Sequence, residues 1–272
     1  MGFRLVSGAR PDLWIGQFDI LDKKIFAHGI STRHGGRSRG CYSSLNLGLH
    51  VGDREDDVIE NRRIFCKALG VDPENTATCQ QVHGSKVARI RREDIGAGFR
   101  DFGKAIEDTD ALITNIPGVP LMLFFADCTP ILIADSVHKA VGLAHGGWKG
   151  TLAAIAAKTV EAMSREFGSR PKDMTAAIGP SIGPCCYQVG REVADRFREA
   201  FPDFADNILC IKGADIYLDL QKTNTLLLEK AGLRAENIEN AGVCTCCNSS
   251  QFFSYRAEHG KTGRIAAVIS VK

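Results

Sequence analysis

Apolar positions along this chain follow two rhythms, and most of the secondary structure can be predicted from them. Over 56–69, Val58, Ile59, Ile64, Phe65 and Leu69 recur near the helical period, and Gly70 follows as a stop. A second helix is predicted over 151–167, with Thr151 as its N-terminal cap, alanines through its body and Gly168 at its end. Further helices are expected over 191–201 and 222–231. Strands are predicted over 25–29 (entering a turn), 111–114, 121–126, 131–134, 140–144, 240–245 and 265–271. Those over 121–126, 131–134 and 140–144 are continuously apolar, as expected when a sheet is covered on both faces. Between the first strand and first helix lies a Gly/Ser/Arg segment, 31–46, too polar to bury and too long to be idle.

Helices and strands mix without strict alternation. The expected fold is therefore α+β, a single layered α-β-α domain over 1–272 around a mixed β-sheet, and not a doubly wound nucleotide fold. No internal repeat and no low-complexity linker interrupts it.

Composition narrows the function. The 272 residues are 44% hydrophobic and 24% charged, ordinary for a globular chain with a sizeable core. A net charge of +2, with basic residues clustered no further than Arg62-Arg63 and Arg91-Arg92, leaves no electrostatic footprint for nucleic acid. The longest apolar run, 119–126, is too short to span a bilayer, and the opening residues resemble neither a signal peptide nor an acylation signal. The expectation is a cytoplasmic protein with no membrane partner, whose ten cysteines are thiols.

Candidate chemistry gathers where apolar strands stop. Gln80-Gln81-Val82-His83-Gly84, Ala126-Asp127-Cys128-Thr129-Pro130 and Ala144-His145-Gly146-Gly147 each set a reactive side chain beside a turn, with Pro130 expected to break the ladder next to Cys128. Singly, each has an ordinary explanation: a histidine bonded within a turn, or a cysteine acting as a small buried hydrophobe. Together, two imidazoles and a thiolate form a three-ligand zinc set with a fourth position left for water or substrate. Separations of 45 and 17 residues suit an open catalytic site better than a zinc-finger module.

Two more cysteine groups stand apart, Cys185-Cys186 and Cys244-Thr245-Cys246-Cys247. Neither is accompanied by a partner pair of C-x-x-C type, and adjacent cysteines in extended chain face opposite ways. A structural metal, pocket lining, or no special role are all open for them. Of the other histidines, only His34 and His50 are candidates for function. Gly146 to Thr151 leads into a helix and could hold an anion through its amides and Lys149, although the P-loop spacing is missing.

These motifs resemble the YfiH/YlmD-type family, also called the laccase-domain or multicopper polyphenol oxidase-like family, which includes purine nucleoside phosphorylases. The likeness runs through Ser31-Thr32-Arg33-His34-Gly35-Gly36, Ser43-Ser44-Leu45-Asn46-Leu47-Gly48, Val51-Gly52-Asp53 and Asn61-Arg62-Arg63. It continues in Gln81-Val82-His83-Gly84, Asp110-Ala111-Leu112, Ala126 to Pro130, Ala144-His145, Ile178 to Tyr187, Phe253-Ser254-Tyr255-Arg256 and Thr262-Gly263-Arg264. One run departs from the family's usual His-Ala-Gly-Trp-Arg-Gly: here it is His145-Gly146-Gly147-Trp148-Lys149-Gly150, so a lysine replaces the bidentate fork of arginine.

The resemblance implies zinc at His83, Cys128 and His145. It also implies phosphorolysis of adenosine, inosine and methylthioadenosine, together with deamination of adenosine. Asp127 is a candidate proton shuttle. Arg62, Lys149 and Arg33 are candidate phosphate cations, and Asn46 and Ser44 candidate partners of ribose or phosphate. The expected partners are then a nucleoside and phosphate. Three alternatives stay open. The first is a cysteine hydrolase or amidase with Cys128 as nucleophile, acting on peptidoglycan precursors. The second is a copper-dependent phenol oxidase, which the chain's lack of the usual copper motifs disfavours. The third is a metal-binding partner protein that uses the segment 31–46.

Overall fold

Continuously apolar strands need cover on both faces, and this chain supplies it by stacking two sheets between layers of helix. In the computed structural model, which describes residues 2–8 and 10–272, a five-stranded antiparallel sheet runs in the order Arg4–Ser7, Trp14–Gln17, Phe26–Ser31, Ile265–Val271, Leu121–Phe125. A six-stranded mixed sheet runs Ile238–Asn240, Met174–Ile178, Thr129–Asp135, Ala140–Gly146, Ala111–Thr114, Val87–Arg89, with its two outermost pairs parallel. A small antiparallel sheet of Gln188–Val189, Asp215–Leu218 and Leu209–Lys212 lies apart from both.

Alternation along each strand sorts side chains into separate cores. Leu112, Leu132 and Leu143 of the mixed sheet meet Leu121, Leu123, Phe125 and Ile30 of the other, forming the core between sheets. Ala111, Ile113, Ile131, Ile133 and Ala144 face outward onto Ile155, Val160 and Met163 of the helix Ile155–Phe167 and onto Leu227 and Leu228 of Leu220–Lys230. Met122, Phe124, Ala266 and Val268 turn to the far side, against Phe65 and Cys66 of the helix Glu55–Ala68. The expected α+β class and mixed sheet hold. The layering is α-β-β-α and not α-β-α, because a strand buried on both faces is continuously apolar whether the cover is a helix or a second sheet.

Three local expectations are corrected. The helix placed over 151–167 is two, Trp148–Leu152 and Ile155–Phe167, broken at Ala154 with φ 57°. The chain turns helical directly after Gly147, so Thr151 is an interior residue whose hydroxyl accepts from Asn224 Nδ2 at 3.0 Å. Of 240–245 only Asn240 belongs to a strand, Ile238–Asn240, and beyond it a single bridge joins Cys244 to Ser181. The segment 31–46 is partly buried after all: Asn61 of the first helix bonds Arg37 N, Ser38 Oγ and the carbonyls of Ser44 and Asn46. Among the described residues no helix is long and apolar enough to cross a membrane.

One buried histidine makes the fold acid-sensitive. His28, in the strand Phe26–Ser31, accepts from Phe18 N at 3.1 Å through Nε2, and its Nδ1 has no partner among the described residues. Burial first, then the nearby Lys23 cation, pushes its pKa from 6.5 down to about 4. Below pH 6.5 the unfolded chain therefore binds the proton that the folded chain refuses, so stability is full above 6.5 and falls towards pH 4. Urea melts of the parent and His28→Gln at pH 7 and pH 4 should show the stability difference shifting in favour of the variant by about 3 kcal/mol on acidification. A difference that does not change with pH would mean that His28 titrates alike in both states.

Candidate metal centre and its pocket

The three reactive side chains foreseen from the sequence come together at one end of the two sheets. Cys128 lies in the bend where the chain leaves Leu121–Phe125 of one sheet to enter Thr129–Asp135 of the other. Asp127 makes that turn with φ 83°, a left-handed conformation rare outside glycine. Pro130, expected outside the ladder, is the second residue of the strand and sits opposite His145, at the strand's start, where a missing N–H is tolerated. His145 is the penultimate residue of Ala140–Gly146. His83 occupies a loop with φ 60°, and the loop is docked by Gln81, whose side chain bonds both N and O of Phe124 at 2.8 and 2.9 Å.

Asp110 fixes this arrangement. Its buried carboxylate accepts from the amides of Val82, His83 and Gly84 at 3.2, 3.0 and 2.7 Å, and it meets His145 Nδ1 at 2.8 Å. The Asp110 carbonyl also accepts from His145 N at 2.8 Å. One side chain thus holds the His83 turn and orients the His145 ring, leaving Nε2 of that ring on the Cys128 side. Burial alone would raise the Asp110 pKa, but the His145 ring and the Gly84 and Val82 amides outweigh it and hold it below the usual carboxylate range.

One ligand atom from each of His83, Cys128 and His145 lies within 4.8 Å of the other two. The two imidazole rings meet edge-on at 4.9 Å between centroids, 68° apart in plane. Burial opposes a charged Cys128, yet His145 and then His83 outweigh it and bring the thiol below its ordinary pKa. His145 is the counterpart: burial opposes its charge, but the Cys128 thiolate and Asp110 carry its pKa upward. Two nitrogens and a soft thiolate at this spacing suit a transition-metal ion, and the carboxylate behind a ligating histidine is the arrangement that sets its tautomer. Gly147 is the floor. A Cβ there would stand 2.9 Å from His83 Cδ2 and 3.2 Å from Cys128 Sγ, so only a bare backbone fits beneath the three donors.

The donors open onto a cavity of about 540 Å³, within the range of small-molecule sites. Phe124, Trp148, Tyr187 and Tyr255 supply flat apolar walls, and Arg256 and Arg264 supply positive charge. His50 is at the rim; the protein packed around its ring, then the Arg264 and Arg62 cations, lowers its pKa.

Several expected binders are elsewhere. Arg62 is fully buried, its guanidinium bonded to the carbonyls of Leu47, Gly98 and Phe99 at 2.8, 2.9 and 2.5 Å and its face 4.4 Å from the Phe124 ring centroid. It therefore cannot reach a phosphate in the cavity. Asn46 is also fully buried, and its amide is used on Gly48, Asp53 and Arg264 N. Lys149 is exposed, 5.6 Å from the Trp148 ring, and is not part of the cavity wall. Arg33 is tied to Ser43 O, Ser249 O and Glu258, Ser44 to Gly36 N and Arg33 O, and His34 to Ser250 O. Asp127 does line the cavity, but Thr245 Oγ1 and Arg256 N occupy its two oxygens at 2.6 and 2.7 Å. Asp110, Arg256 and Arg264 all lay inside recognisable motifs without being given a role. An aspartate standing immediately before the apolar run Ala111-Leu112-Ile113 was the signal for Asp110.

The chain resembles known proteins along most of its length. Residues 27–272 match the profile of the family described as multi-copper polyphenol oxidoreductase laccase. The chain is 41% identical over 242 residues to purine nucleoside phosphorylase YlmD of Geobacillus stearothermophilus, covering 89% of this chain and 88% of that protein. It is 34% identical to adenosine deaminase RL5 from an unknown prokaryotic organism, over 90% and 96% of the two. The crystal structure of Bacillus licheniformis hypothetical protein YfiH superposes with a TM-score of 0.92 at 37% identity, over 99% of each chain.

The site carries its own test. Asp110→Asn should keep the fold but weaken metal affinity by about 10- to 100-fold, because the amide loses the charge that orients His145. Gly147→Ala should reduce it further, since the new methyl group displaces His83 or Cys128. Competition titrations with a chromophoric chelator measure both, and parent-like affinity in both variants would contradict a metal centre at this place.

Proposed function

Since the chain belongs to the multi-copper polyphenol oxidoreductase laccase family, we propose that it is a zinc-dependent purine nucleoside enzyme. It phosphorolyses adenosine, inosine and S-methyl-5′-thioadenosine to the free base and the (methylthio)ribose 1-phosphate, and deaminates adenosine to inosine. The observation that carries this reading is the His83–Cys128–His145 set with one open side, facing a cavity that holds both aromatic walls and arginines. The names of the relatives supply the substrate class. Bound there, zinc supplies Lewis acidity that makes water nucleophilic near neutral pH.

The chain's own residues do the rest. Asp110 keeps His145 in the tautomer that presents Nε2. Phe124, Trp148, Tyr187 and Tyr255 offer π-faces to a planar base. Arg256 and Arg264 replace Arg62 and Lys149 as the cations for phosphate, since they line the cavity. Tyr187 lies 5.4 Å beneath Arg256 and Tyr255 5.9 Å from Arg264, so each guanidinium is held against a ring. Zinc is preferred to copper because the sequence lacks the paired His-x-His motifs that build multi-copper clusters. The free cysteines suit a reducing cytoplasm.

A second reading has its own observation. Cys128, His145 and Asp110 are aligned as nucleophile, base and orienting carboxylate, as in a cysteine hydrolase acting on cell-wall precursors. His83 favours the metal, because a triad has no use for a second imidazole packed on the thiolate.

Metal analysis beside a chromatographic assay of adenosine with and without phosphate separates the two. The expected result is bound zinc, adenine formed only with phosphate, inosine formed without it, and loss of metal and of at least about 100-fold in rate together in Cys128→Ser. A metal-free protein that is inert to nucleosides and inactivated by iodoacetamide would overturn the proposal in favour of the hydrolase.

A further inference from the structure

The five remaining cysteines near the pocket are not scattered. Cys185 and Cys186 lie in a turn closed by bonds from Cys186 N and Tyr187 N to Gly183 O. Cys244 opens a second turn, and Cys244-Thr245-Cys246-Cys247 itself spells C-x-x-C. The two turns run side by side through bonds from Ser181 N to Val243 O and from Thr245 N to Ser181 O, and Gln221 Nε2 bonds both Ser181 O and Val243 O. In this arrangement the sulfurs of Cys185, Cys186, Cys244 and Cys247 all lie within 4.8 Å of one another. Vicinal cysteines point apart in extended chain, but in a turn both can face the same centre.

We propose that Cys185, Cys186, Cys244 and Cys247 form a second metal site, a closed tetrathiolate that holds one zinc ion and staples the turn at Gly183 to the turn at Cys244. The distances choose the occupant. Four sulfurs about 2.3 Å from one tetrahedral ion stand about 3.8 Å apart. The closest pairs here, Cys186–Cys247 and Cys185–Cys247, are at 3.4 and 3.5 Å. A disulfide needs about 2.05 Å, and every cysteine is free. A second observation points to thiolate ligands. Gly183 N donates to Cys244 Sγ at 3.2 Å, and a Cβ at Gly183 would lie 3.2 Å from Cys244 Cβ and 3.4 Å from Cys185 Sγ. The backbone is bare where the sulfurs crowd it, and its N–H serves the sulfur. Binding displaces the thiol protons to solvent and involves no change of oxidation state.

Position gives the staple a consequence. The first turn carries Ile182 and Tyr187 in the cavity wall, and the second carries Thr245, whose hydroxyl holds Asp127 beside Cys128. Arg256 spans from the cavity to Cys186 O and Gln188 O. The ion would lock one wall of the pocket from outside, without touching its contents.

Zinc stoichiometry of the full chain, measured with no reference to activity, tests this. Purified with zinc present, the parent should carry two equivalents, and Cys185→Ser/Cys247→Ser should carry one and melt at lower temperature. His83→Ala/Cys128→Ala/His145→Ala should also keep one, and on cobalt substitution it should show the intense thiolate charge-transfer band of a tetrahedral sulfur site. If the double-serine chain does not fold, the zinc count and the cobalt spectrum of the triple variant still decide. A triple variant that carries no zinc and shows no cobalt–thiolate band, or disulfides among the four, would each overturn the proposal. Failure of the His83–Cys128–His145 centre alone would leave the second equivalent in place.

Discussion

Asp110 accepts four hydrogen bonds in a place closed to solvent, and the working end of the molecule is arranged around them. Removing a carboxylate from water costs several kcal/mol, while a hydrogen bond to a charged group returns about 1.5–3 kcal/mol. A carboxylate so placed is tolerated only when its acceptor sites are used, and here three amides of one turn and one imidazole use them. This geometry explains how His83 can sit at φ 60° in a loop with no strand of its own. It also explains how His145, at the end of a strand in the mixed sheet, meets a cysteine at the crossover from the other sheet. The charge that orients the ring is the same one that keeps the turn closed.

The rest of that end is built by close approach of backbone. Gly147 lies beneath the three donors, and Gly150 passes the carbonyls of Gly84 and His145, where a Cβ would come within 2.8 and 3.2 Å. At Gly146, where the family's usual run has alanine, an added Cβ would meet Asn224 Nδ2 and Thr129 O at 3.1 Å each. The helix that begins at Trp148 is therefore pressed against the site from its first residue. On the opposite side Arg62 takes a structural part that its charge alone would not suggest. Three carbonyls and the Phe124 ring hold it in a fully buried position, and burial lowers its pKa to about 9. It braces the Phe124 wall from behind.

Much of this was legible in the sequence, and the failures have physical causes. The helix Glu55–Ala68 and the strand Ile265–Val271 follow directly from apolar spacing and a terminal glycine. His83, Cys128 and His145 could be picked out because reactive residues at the ends of apolar strands are conspicuous. The second sheet was hidden because a strand buried on both faces carries the same pattern whichever element covers it. That Arg62 and Asn46 would lie buried outside the cavity lining was hidden because polarity does not distinguish a side chain that binds a ligand from one that satisfies buried carbonyls and amides. Asp110 was given no role because three of its four partners are backbone amides 26 to 28 positions away, and its place before an apolar run does not reveal them. The four-cysteine cluster depends on a bridge between turns some 60 residues apart, and spacing along the chain does not reveal that either.

The account rests on His83, Cys128 and His145 holding an ion under the control of Asp110. An anomalous difference map recorded at the zinc absorption edge, from crystals of the unaltered protein, examines this directly. It should show a peak about 2.0–2.3 Å from Cys128 Sγ, His145 Nε2 and a ring nitrogen of His83, with Asp110 still on His145 Nδ1. Density for a chemically modified or substrate-linked Cys128, with no anomalous peak among the three side chains, would contradict it.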